Sequence, residues 1–101
     1  MTGGELPKGW TLLSDERSRY FSEEFYREAD KSHPLFDERM WAIARCDAAD
    51  EFLFKIHDGR FAVIHLTWAV ETTPDFPGFG LYDTLDEWRA DVSAHSLGDE
   101  A

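Results

Sequence analysis

A chain of 101 residues, 43% hydrophobic and 15% aromatic, can fill one core and leaves no room for a second domain. Its 21 acids against 10 bases give a net charge of −11, which argues against nucleic acid, because a phosphate-binding surface needs a cationic face to displace counterions. Cys46 is the only cysteine, and no apolar run approaches the roughly 18 residues of a membrane span. The expected setting is therefore a reducing cytoplasm, with neither membrane nor nucleic acid as partner.

Residues 1–9 hold three glycines and a proline and no signal-peptide pattern, so order is expected to begin at Trp10. From the capping residue Ser14, the acids Asp15 and Glu16 and the apolar spacing of Phe21, Phe25 and Ala29 predict a helix over 15–31. Arg17, Arg19, Glu23, Glu24, Arg27, Glu28 and Lys31 are expected on its solvated face, with Glu24–Glu28 a repulsive pair. Pro34 stops the helix near His33, which is expected to cap its end.

Residues 39–46 are short and apolar and predict a first strand, joined to the next by an acidic connection. Segments 51–57 and 60–68 flank Asp58-Gly59, a pair suited to a two-residue type I′ hairpin. With His57 opposite Arg60, the pleat puts Phe52, Phe54, Ile56, Phe61, Val63 and His65 on one face. Leu53, Lys55, Ile64, Leu66 and Trp68 fall on the other, with Lys55, His57 and Arg60 clustered beside the turn. This register buries His65 opposite Phe52.

Residues 71–80, broken by Pro74, Pro77, Gly78 and Gly80, read as a loop. Thr84-Leu-Asp-Glu87 fits a capping box, and Leu85, Trp88 and Val92 recur at helical spacing, predicting a helix over 84–95 before a flexible 96–101. The expected architecture is a single α+β domain over 10–95, with an N-terminal helix, a three-stranded antiparallel meander and a C-terminal helix (α-β-β-β-α).

In order, His33-Pro-Leu35, Ala42-Ile-Ala-Arg45, Phe52-Leu-Phe54 and Ala62-Val-Ile-His-Leu-Thr-Trp68 resemble a group of small uncharacterised bacterial proteins of about this length. The look-alikes usually continue the last motif with a small residue, Gly and charged residues, where this chain has Ala69-Val70-Glu71. The resemblance implies a free-standing bacterial domain and brings no activity, cofactor or catalytic residue.

No residue pattern assigns catalysis. His33, His57, His65, His95 and Cys46 fall on separate predicted elements without paired ligand spacing, so no metal is expected. Gly78-Phe-Gly80 lacks the glycines and the strand-to-helix context of a phosphate loop, and no cofactor is expected. What remains is surface: residues 61–101 carry one base, Arg89, against eight acids. The expected function is non-enzymatic protein binding by a monomer or homodimer, similar in general character to immunity proteins that neutralise basic toxins. A basic partner would meet Asp83, Asp86, Glu87 and Asp91 with Phe76, Phe79 and Tyr82 of the preceding loop. The rival reading is a ligand or enzymatic pocket around His65, Thr67 and Trp68 and the same aromatic loop.

Overall fold

The computed structural model describes residues 6–46, 50–72 and 77–100, with side chains through Val92. Its elements are β1 (Trp10–Leu12), α1 (Asp15–Glu28), β2 (Met40–Cys46), β3 (Glu51–Ile56), β4 (Phe61–His65), β5 (Gly78–Tyr82) and α2 (Leu85–Glu100). The strands form one antiparallel sheet in the order β1-β2-β3-β4-β5. This corrects the expected α-β-β-β-α arrangement: the central three strands gain a partner on each side, giving β-α-β-β-β-β-α. Both added strands lack a strong sequence pattern, β1 because it spans three residues after a Gly/Pro-rich lead, β5 because glycines occupy alternate positions.

Ser14 caps α1 by accepting from the Arg17 amide at 3.3 Å, with Asp15 and Glu16 in the first turn. The helix ends at Glu28 rather than Lys31, because Ala29 takes extended geometry and Asp30 gathers the amide and hydroxyl of Ser32 into a turn. One stripe of α1 is polar and docks on the backbone of β2. The Ser18 hydroxyl donates to the Ala42 carbonyl, Ser22 Oγ accepts the Ala42 amide at 2.8 Å, and Tyr26 donates to the Glu38 carbonyl while accepting the Met40 amide. Because β1 pairs only with residues 44–46 of β2, the helix supplies partners where the neighbouring strand is missing.

The β3–β4 ribbon is paired one position away from the expected phase. Ile56 N donates to Arg60 O at 2.8 Å, Gly59 N donates to Ile56 O at 2.9 Å, and Gly59 has φ of 103°. The connection is thus a three-residue loop, 57–59, closed by a left-handed glycine, and not a two-residue turn. Phe52 therefore faces Ile64 and Phe54 faces Ala62. Phe52, Phe54, Ile56, Ala62, Ile64 and Leu66 line the α1 side, whereas Leu53, Phe61, Val63 and His65 turn to the α2 side. His65 is exposed, not buried opposite Phe52.

An irregularity between Ala42 and Ala44 shifts the phase of β2. Met40 and Ala42 join the α1 core, Ala44 joins Leu53 on the other side, and the Arg45 guanidinium returns to the α1 side, 5.7 and 5.5 Å from the Phe21 and Phe52 ring centres. Against the α1 face pack Phe21, Phe25 and Leu35; against the other, Trp88 is fully buried on Leu53 and Phe61 and meets Trp10 edge-on at 5.0 Å. Each such side chain contributes about 1.5–3 kcal/mol by leaving water, so both helices are fixed to the sheet by their large residues.

Candidate functional site

The most unusual chemistry lies where α1 ends against the chain leaving β4. Glu24 and Glu28, expected in solvent, are 6% and 0% exposed. Glu28 follows Phe21 and Phe25 on one helical stripe, at spacings of seven and three, so the face that buries those rings buries it too. Its Oε1 accepts the Thr67 amide at 2.8 Å and the Thr67 hydroxyl at 3.0 Å, and its Oε2 accepts the Trp68 amide at 2.7 Å. The Glu28 carbonyl accepts the Glu71 amide at 2.8 Å, and the Glu71 carboxylate lies 2.7 Å from the same Thr67 hydroxyl. Trp68 has φ of 61°, left-handed geometry that is costly for a bulky residue. Its ring, 42% exposed, closes edge-to-face over Phe21 and Phe52 at 6.2 and 6.3 Å.

Burial, and next the hydrogen bond to Glu24, push the Glu28 carboxyl up to about 7 against the opposing pull of the Thr67 and Trp68 donors. Glu24 moves down: burial works upward, but the bond to Glu28 and the Arg27 fork, at 3.0 and 2.6 Å, outweigh it. Burial and the neighbouring acid thus favour the protonated form of Glu28 above the usual carboxylate range, and the Thr67 and Trp68 donors favour the charged one. An acid on an apolar helical stripe was the sequence signal for this site.

The predicted partner-binding residues do not form one patch. Phe79 stands on the α1 side of β5, opposite Ile64, with its ring 5.1 Å from His33, while Tyr82 points to the α2 side. The Tyr82 hydroxyl donates to Asp91 at 2.6 Å; burial, then Asp91, push it up to about 12. Thr84 Oγ1 accepts the Glu87 amide at 3.1 Å and Glu87 accepts the Asp83 amide at 3.0 Å, forming the expected kind of cap. Asp86 is paired with Arg89 at 2.8 Å but its side chain remains 91% exposed. Phe76 lies outside the described residues.

Nor do the predicted pocket residues converge. His65 pairs across the strands with Glu51 and Gly78 on the α2 side, whereas Thr67 and Trp68 are engaged by Glu28. His33 is not a helix cap: its Nδ1 accepts the Leu35 amide at 3.0 Å, so Nε2 carries the hydrogen given to the Pro77 carbonyl at 2.8 Å. It ties the α1–β2 connection to the start of β5. An open cleft of about 630 Å3 lies elsewhere, its walls including Tyr26, Glu38, Arg39, Trp41 and His57. Among the described residues no three His, Cys, Asp or Glu side chains are placed to hold a metal ion, and no helix is long and apolar enough to cross a membrane. Comparison with known proteins finds no matching protein family, no matching curated protein and no matching solved structure.

Proposed function

We propose that the domain binds another protein by accepting an extended, basic segment along the outer side of β5, with the acids that open α2 steering and orienting it. The observation that carries this reading is the character of that edge. Residues Gly78–Tyr82 contain no charge and no proline, and Phe79 and Leu81 are 36% and 44% exposed on one side. Sheet edges without charge, proline or brevity invite another strand. On the other side of the strand, a methyl group added at Gly78 would meet nothing within 4 Å, leaving room beside the backbone. Asp83, Asp86 and Glu87 follow within a few residues and are exposed. Arg89, paired with Asp86 at 2.8 Å, offsets one of these three charges, so the local field stays negative.

Titrating labelled protein with extended peptides that alternate Lys and Val tests this by NMR. The amides of β5 and of Asp83 to Glu87 should shift, and affinity should fall at high ionic strength and with Asp86→Lys/Glu87→Lys. Shifts confined to other elements, or binding indifferent to the charge reversal, refute the reading.

A further inference from the structure

The β5 edge is open over a short stretch only, and the hydrogen-bond phase of the sheet says which one. Leu66 N donates to Asp50 O at 3.0 Å and Ile56 N to Arg60 O at 2.8 Å. In an antiparallel ladder, residues that bond one neighbouring strand alternate with residues that bond the other. Ala62 and Ile64 therefore turn their backbone groups to β3, and Phe61, Val63 and His65 turn theirs to β5. Their partners Tyr82, Gly80 and Gly78 are thereby spent on β4, and the amides and carbonyls of Phe79 and Leu81 point outward.

On either side of these two residues the outward groups are already taken. Pro77 has no amide hydrogen, and its carbonyl accepts from His33 Nε2 at 2.8 Å. The Asp83 amide donates to Glu87 at 3.0 Å. Among the described residues nothing meets the outward groups of Phe79 and Leu81, because β5 is the last strand of the sheet.

The two faces of this stretch differ. On the α1 side stand the exposed side chains of Phe79 and Leu81. On the α2 side Gly80 leaves the row of Leu53 and Val63 without a side chain. A Cβ at Gly80 would meet only the Tyr82 hydroxyl, at 4.0 Å, and that hydroxyl donates to Asp91 at 2.6 Å. A residue paired opposite Gly80 has its Cβ about 4.5–5.5 Å away, so a long side chain can lie across the glycine and bring a cation to the hydroxyl and the carboxylate.

We propose that this window selects an antiparallel strand of the pattern apolar–basic–apolar, with the apolar side chains beside Phe79 and Leu81 and a Lys or Arg crossing Gly80 towards Tyr82 and Asp91.

The inference rests on β5 being the binding edge and adds which sequence it accepts. Antiparallel addition continues the pairing of every other strand in the sheet. It sets the outward groups of Phe79 and Leu81 against the two apolar partner residues, whose own amides and carbonyls turn to β5, while those of the basic residue turn away. An acid in the middle position would meet Asp91, with Asp83 and Glu87 close along the chain, and is excluded.

Capped peptides on the intact chain test it. Ser-Val-Lys-Val-Ser should bind at least about tenfold more tightly than its isomer Ser-Lys-Val-Val-Ser, which has the same charge and composition. On binding, the Phe79 and Leu81 amides should gain protection from exchange, and that of Gly80, already paired, should change little. N-methylation of either Val should cost about tenfold or more, and N-methylation of the Lys much less. Asp91→Asn, which can still accept from Tyr82, should bring the two isomers to within about twofold. Equal affinity for the isomers, equal losses at the three methylated positions, protection gained at Gly80 instead, or a preference unchanged in Asp91→Asn overturns the pattern and leaves β5 as the binding edge. Shifts in β5 with neither peptide overturn both readings. If Asp91→Asn does not fold, the peptide series on the wild-type chain still decides it.

Discussion

The two edges of the sheet are built alike and finished differently. Each edge strand runs within two residues into a helix capped by a hydroxyl side chain with two acids in its first turn: β1 into Ser14 with Asp15 and Glu16, β5 into Thr84 with Asp86 and Glu87. The first helix then covers one face of the sheet and the second covers the other. But β1 spans three residues, and α1 side chains take over the β2 backbone beyond it. β5 spans five, alternates glycine with Phe79 and Leu81, and has no such substitute on its outer side among the described residues. An edge closed by its own helix is structural; an edge left long, apolar and uncharged is the one to which the proposed partner strand would add.

Substitutions behind each edge should separate them most. Ile64 is fully buried and backs Phe79 of β5, so Ile64→Ala should cost about 2–5 kcal/mol. Leu12 of β1 is 64% exposed, and Leu12→Ala should stay within about 0.5 kcal/mol. Urea midpoints at constant slope measure both. Equal costs would remove the contrast.

The chain entering β5 should also respond to pH where the chain leaving β1 does not, since Leu13 is tied by its backbone to Ile43. Glu28 sits near 7 when folded against an ordinary 4.5, so the folded chain keeps a proton the unfolded chain has released. The stabilisation is complete below pH 4.5 and is lost as pH rises to 7, a change of about 3 kcal/mol. Glu24, held low, acts in the opposite sense and withdraws its contribution as pH falls below its ordinary 4.5. Denaturation across pH 5 to 8 should show the decline, and Glu28→Gln should flatten it.

The caps give the smallest difference. Ser14→Ala and Thr84→Ala should each cost about 1 kcal/mol. The second should cost slightly more, because the Glu87 carboxylate that accepts the Asp83 amide is positioned by the same turn. Thermal midpoints of the two variants order them.

What could be read from the sequence follows the same physics. Regular spacing and caps located α1 and α2, and runs of Phe, Ile, Val and Ala located β2, β3 and β4. A strand of three residues and one with alternate glycines offer no such period, so β1 receives no element although order is expected from Trp10, and most of β5 falls in the expected 71–80 loop. The register slipped by one because Asp58-Gly59 also fits a loop that includes His57, and that single position decides whether His65 or Ile64 faces the core. Glu28 was misplaced for a related reason: charge argued for solvent while its position beside Phe21 and Phe25 argued for burial, and the donors that settle it come from Thr67 and Trp68, distant in sequence. The acids of α2 were legible as residues, but not their division between cap, tyrosine partner and exposed surface.

Binding of one alternating Lys/Val peptide to Leu81→Lys and to Leu12→Lys, two exposed leucines on opposite edges, addresses the role of β5 most directly. The β5 substitution should abolish binding with the fold intact, and the β1 substitution should leave affinity unchanged. Loss with both, or with Leu12→Lys alone, contradicts the assignment of the β5 edge as the binding surface.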